Sequence, residues 1–276
     1  MCSGALLGAK GWDTMTDVLP RIASDLDSIE RDEGVAILLA VESGSRAWGF
    51  ASTDSDFDVR FIYIHRPEWY LSIDVEDRPD VIERPLRDVL DVSGWDTRKA
   101  LRLFRKSNPP LLEWLRCPMV YRERSSFARR LREFLPAFYS PKASFFHYLH
   151  MAQGNMREYL SGETVWRKKY LYVLRPLLAI QWIEQGLGPV PIEFGKLLDA
   201  TQPSGEIRRA VDELVAAKRA GAELEMGPRI PAIGNFIEIE LDRLERVADV
   251  RATAGPPMQQ LDELFRATLL EAWGTP

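Results

Sequence analysis

The chain has 276 residues, 46% of them hydrophobic, and a formal net charge of −5. That is apolar content enough for one larger domain or two small ones, and a net charge that argues neither for nor against a nucleic-acid partner. Two cysteines, Cys2 and Cys117, exclude a disulfide framework and point to a reducing cytosol. No apolar run approaches the ~20 residues of a membrane span, and the N-terminus lacks the apolar core and cleavage site of a signal peptide. The expectation is a soluble cytoplasmic protein with no membrane partner. Charge is polarised along the chain: eleven Lys/Arg fall between Arg98 and Arg132, whereas seven acids against three bases lie between Gly221 and Asp249.

In chain order, residues 12–31 carry Leu19, Ile22, Leu26 and Ile29 at helical intervals and predict an amphipathic helix despite Pro20. The aliphatic run Val35 to Val41 reads as a strand, and Phe57 to Ile64 (FDVRFIYI) as a second, rich in β-branched and aromatic residues. DVIERP and Arg87 to Gly94 read as further strands. DTRKALRLFRKS is an amphipathic helix, broken at Asn108-Pro109-Pro110, after which LLEWLRC begins another. From Ser125 onward apolar spacing is helical almost throughout. The expected fold class is α+β: a mixed α/β domain over residues 1–120, with a seam near Pro118, then an all-helical domain over 121–276.

The stretch ESGSRAWGFASTDSDFDVRF carries the chemistry. Alternation in a strand puts Asp56 and Asp58 on one face, where two carboxylates repel unless a cation lies between them. A hard divalent ion, Mg²⁺ or Mn²⁺, meets that need. Upstream, Gly44 permits close backbone approach, and the Ser45 hydroxyl with nearby N–H groups, where a helix begins in SRAWGF, offers donors to a phosphate. Paired acids and a phosphate cradle are the equipment of phosphoryl or nucleotidyl transfer. The plain alternative is an Asx-rich surface turn feeding an ordinary strand. No Walker A, GxGxxG or GxSxG pattern occurs.

The hydrophobic strand, Gly44-Ser45, the spacer and Asp56-x-Asp58 resemble the signature of the DNA polymerase beta-like nucleotidyltransferase superfamily. GSRAWGFASTDSDFDVRFIYI, DVSGWDTRKALRLFRKSNPPLLEWL and KKYLYVLRPLLA resemble, more narrowly, the predicted nucleotidyltransferases associated with RNA repair operons (the YcgL-like, or RlaP, group). The resemblance implies a minimal nucleotidyltransferase fold with an appended helical domain and two-metal chemistry on an NTP. It further implies a third carboxylate from a later strand. Asp91, within Leu90-Asp91-Val92, fits that place best; Asp88 falls on the opposite face of the same strand, and Asp96 reads as part of a capping box opened by Ser93.

Asp56, Asp58 and Asp91 are thus the expected catalytic and metal-holding residues, and Gly44, Ser45, Arg46 and Lys99 the nearby candidates for holding nucleotide. Lys168, Lys169 and Tyr172 follow in a helix that the resemblance places across the cleft, against the plain reading of solvated cations on an amphipathic helix. Arg98, Arg102, Arg105 and Lys106 form a basic face that reads either as an RNA-binding surface or as ordinary solvated helix. The acceptor expected is an RNA end, tRNA included. A protein or small-molecule hydroxyl, or a catalytically silent nucleotide- or RNA-binding module, are the alternatives; nucleotide choice and oligomeric state are not legible.

Overall fold

A computed structural model of the chain describes residues 15–201, 203, 205–221, 226–247 and 257–274. Helix α1 (Met15–Glu33) leads into strand β1 (Ala36–Glu42), a single turn α2 (Gly44–Trp48) and strand β2 (Phe57–Ile64). A short helix α3 (Pro67–Tyr70) and strand β3 (Val81–Glu83) precede β4 (Leu90–Asp96), which runs directly into α4 (Thr97–Arg105). Then come α5 (Pro109–Arg116) and β5 (Val120–Glu123). Five strands form one sheet in the order β3-β4-β2-β1-β5, with β2 and β4 parallel and the other neighbours antiparallel.

Period-two alternation gives the sheet two apolar faces. Phe57, Val59 and Phe61 pack under α1, against Val18, Ile22, Leu26 and Ile29. Leu19, expected in that stripe, points outward and Val18 takes its place. Ile62 and Ile64 face α4 and α5, where Ala100, Phe104, Leu111 and Leu115 are buried. Asp58 sits on this second face by the same alternation, at the strand's polar end.

β5 straddles the seam expected at residue 120, because its pairing with β1 carries the sheet on to Glu123. Beyond it lie α6 (Phe127–Phe138), α7 (Pro141–Tyr159), α8 (Tyr170–Glu184), α9 (Phe194–Thr201), α10 (Gly205–Arg219), α11 (Pro231–Val247) and α12 (Gln259–Trp273). Most of these bury a separate core around α8. Phe127 and Leu131 of α6 and Leu261 and Leu264 of α12 instead complete the core beside the sheet. The helical part also contains a two-stranded pair, β6 (Thr164–Trp166) with β7 (Met226–Pro228), so it is helical without being all-helical. Among the described residues no helix is long and apolar enough to cross a membrane.

Two local expectations need correction. Asp88 is not in the strand: it lies in the tight turn before β4 with φ 53°, and its exposed carboxylate pairs with Arg21 at 3.0 Å. Asp96 is itself the N-cap of α4, accepting from Arg98 N–H at 2.8 Å, while Ser93 stands inside β4. A strand that becomes a helix without a loop leaves its last residue to do the capping.

Candidate active site

The loop between β1 and β2 is built to present carboxylates. Ser43 N–H donates to Asp58 C=O at 2.9 Å, closing the two strands just past β1. Gly44 then turns with φ 58°, and a Cβ there would stand 2.0 Å from Asp58 Oδ2. Glycine is required on both counts, left-handed backbone and bare approach. Ser52 and Ser55 close a tight turn, with their hydroxyls 2.9 Å apart, so the Asx-rich turn read from the sequence is real and delivers Asp56 to β2.

Asp56 and Asp58 line a cleft of ≈ 400 Å³. One wall carries Ser45, Phe50, Ser52 and Ser55; the other carries Trp166, Lys168, Lys169 and Tyr172, with Lys218 reaching in from the end of α10. The ammonium of Lys218 lies 3.3 Å from Ser52 Oγ and 3.4 Å from Ser55 Oγ. Lys169 rests on the rings of Tyr159 and Tyr172, at 4.2 and 4.6 Å. Burial and the neighbouring Lys168 hold Lys169 below the usual lysine range, and burial does the same to Lys218. Burial raises Asp56 and Asp58 above the ordinary carboxylate range, and the charge of Asp91 adds to both shifts. The cleft therefore holds crowded acids facing crowded ammonium groups, which suits a polyanion carrying a divalent cation.

Asp91 stands opposite Asp58 in the parallel register of β2 and β4. Between them lies Arg60, whose Nη2 donates to Asp58 Oδ1 at 3.1 Å and to Asp91 Oδ2 at 2.6 Å. The fit to metal is thus unequal. Asp56 and Asp58 open on the cleft as a hard-oxygen pair, with one oxygen of Asp58 already on Arg60, whereas Asp91, held more closely by the same guanidinium, lies outside the cleft's lining. Among the described residues no three carboxylate, imidazole or thiol groups gather as a metal-holding cluster.

The remaining expected nucleotide and RNA contacts fall elsewhere. Arg46 spends its guanidinium inside the loop, on Ser55 C=O and on Asp56 C=O at 3.1 Å, with Phe57 beneath it at 3.8 Å. Lys99 pairs with Asp80 at 2.8 Å. It lies in the first turn of α4, beyond the end of β4 at Asp96, itself about 17 Å along the strand from Asp91 at ~3.3 Å per residue. Arg98 and Arg102 both reach Glu76. The acids missing from α4 come from the loop before β3, so the unbroken run of cations is no measure of free charge; Arg105 ends the helix and Lys106 caps it. Lys168 and Lys169 stand in a short 3-10 turn (Arg167–Lys169) ahead of α8, and Arg175, further along that helix, is 1% exposed and paired with Glu113 at 2.8 Å. Sequence reading missed Lys218, Ser52, Ser55, Phe50 and Arg60; only Arg60, two residues from Asp58 and hence on its face, carried a local signal.

A mixed sheet with paired acids where β2 begins, flanked by helices and followed by a largely helical region, is the minimal nucleotidyltransferase architecture. The chain belongs to the RNA repair pathway DNA polymerase beta family, which it matches over residues 18–267. It is 47% identical over 254 residues to the uncharacterized protein YcgL of Bacillus subtilis (strain 168), covering 92% of this chain and 97% of that one. A crystal structure of a nucleotidyltransferase-like protein from Exiguobacterium sibiricum 255-15 aligns over 91% of this chain and 87% of its own, at 14% identity and a TM-score of 0.32.

Proposed function

We propose that the chain is a metal-dependent nucleotidyltransferase that moves an NMP from an NTP to an acceptor hydroxyl, and that the acceptor is an RNA end. The observation that carries this reading is the cleft itself, with Asp56 and Asp58 set against Lys168, Lys169 and Lys218. A Mg²⁺ or Mn²⁺ ion held by the two aspartates would supply Lewis-acid stabilisation of charge on the transferring phosphate. The lysines bind and orient the triphosphate, and Ser45, Ser52 and Ser55 offer hydroxyl donors along the same wall. Asp91, level with Asp58, takes the proton of the acceptor hydroxyl. The hydroxyl oxygen bonds to the α-phosphorus in line, the bond to the β-phosphate breaks, and pyrophosphate leaves with its charge held by the ammonium groups. Tyr172, edge-on to Trp48 at 5.4 Å, braces the wall that carries the lysines.

The family's place in RNA repair supports an RNA acceptor, tRNA included. The pairing of Arg98 and Arg102 with Glu76 favours a second reading, in which a protein or small-molecule hydroxyl is the acceptor. A catalytically silent binding module has no use for the paired acids. Purified protein incubated with Mg²⁺, bulk tRNA and each NTP labelled in the α-phosphate should place label on the RNA. Label on protein or a small molecule would move the acceptor, and no transfer from any NTP would overturn the reading.

A further inference from the structure

Arg60 is the most constrained cation beside the paired acids. Its side chain is 19% exposed, against 27% for Asp58 and 43% for Asp91. Besides the two carboxylates it satisfies main-chain acceptors, donating through Nη1 to Asp91 C=O at 3.0 Å and to Val59 C=O at 3.2 Å. Four bonds to two adjacent strands fix the guanidinium in the plane between Asp58 and Asp91, where planar forks bind carboxylates best. One guanidinium shared between Asp58 and Asp91 offsets part of the negative charge that the three carboxyl groups bring to the site.

We propose that Arg60 is a fixed substitute for one of two metal ions: the site takes one divalent ion, at Asp56 and Asp58, and Asp91 is positioned by Arg60 rather than by metal. This rests on the nucleotidyl-transfer reading of the cleft and narrows it. Arg60 acts through the carboxylates and touches no reacting atom, so it is a positioning residue. Its charge does for Asp58 and Asp91 what a second ion would do, without the dependence on ion concentration.

The test counts metal rather than turnover. The full chain is titrated with Mn²⁺ in the presence of an NTP analogue with a methylene between its α- and β-phosphates, and bound ions are counted by electron paramagnetic resonance. Wild type should hold one ion per chain and Arg60→Gln two, because Asp91 is then released to ligate. Arg60→Lys, which keeps the charge, should return to one. Asp91→Asn tests the same point should Arg60→Gln fail to fold. Losing even an outer-shell partner costs a metal site about 10–100-fold in affinity, so a smaller change leaves Asp91 outside the metal's shell. Two ions in the wild type, or a loss of that size in Asp91→Asn, would overturn the role of Arg60 and leave nucleotidyl transfer standing. No bound ion in wild type, with Asp58→Asn indistinguishable from it, would overturn both.

Discussion

Glu42 accepts the backbone N–H of Asp58 at 2.9 Å from the neighbouring strand, with its other oxygen taken by the hydroxyl of Tyr121. The side chain is 1% exposed, so the contact fixes the backbone beneath the cleft-facing Asp58 carboxylate from the opposite face of the sheet. Burial pushes Glu42 from 4.5 up to about 7, outweighing the hydrogen bonds that pull it down. A carboxyl raised on folding binds more protons in the folded state between those two values. Stability from this group is therefore full below the unfolded value and falls as pH rises through the folded one, by at most about 3 kcal/mol. Denaturant titrations at pH 5 and pH 8 should show Glu42→Gln losing less stability than wild type over that interval. Equal losses would mean that Glu42 does not ionise there.

Gly44→Ala should abolish transfer, because its methyl and the Asp58 carboxylate cannot both keep their places. The left-handed backbone adds a strain of about 1–3 kcal/mol. Gly49→Ala is the control: φ is 85°, but nothing lies within 4 Å of its added Cβ. It should lose stability and retain labelling activity. Two inactive variants would locate the requirement in the loop's backbone and remove it from the Asp58 approach.

Replacing Arg98 and Arg102 with Gln should leave the salt dependence of RNA binding unchanged and cost little stability, as exposed ion pairs do. Both residues are committed to Glu76 of the preceding loop. A slope of log K against log salt that flattens by about one for each lost phosphate contact would show instead that these pairs open for RNA.

This contrast shows where sequence reading reaches its limit. The strand, Gly-Ser turn and Asp-x-Asp strand are contiguous, so their alternation and turn chemistry placed β1, α2 and β2 from local pattern alone. Asn108 was equally legible as a helix start, and its side chain accepts Leu111 N–H at 3.2 Å. The partners of α4 come from another loop, and Lys218 enters the cleft more than 160 residues after Ser52. No periodicity reports such tertiary encounters. Asp88 failed for a different reason: a left-handed turn interrupts what composition alone presents as one continuous strand.

The buried pair Arg175–Glu113 links α8, which follows the Lys168–Lys169 turn, to the Gly44 turn, since Glu113 also accepts from Trp48 Nε1 at 3.0 Å. Removing one member leaves an uncompensated buried charge, so Glu113→Ala should cost about 3–5 kcal/mol. Glu113→Met with Arg175→Met should recover most of that stability yet still raise KM, because Trp48 loses its anchor. Chemical denaturation with steady-state kinetics separates the two effects. A double variant with wild-type KM would confine the pair to packing.

The position of the label decides whether the cleft transfers a nucleotidyl group at Asp56 and Asp58. The purified chain is given Mg²⁺, acceptor RNA and either of two preparations of one NTP, labelled in the α- or in the γ-phosphate. Label should appear on the acceptor from the α-labelled nucleotide only, with labelled pyrophosphate released from the other, and Asp58→Asn should abolish both while remaining folded. Transfer of the γ-label to the acceptor, or undiminished α-transfer by Asp58→Asn, would contradict the account.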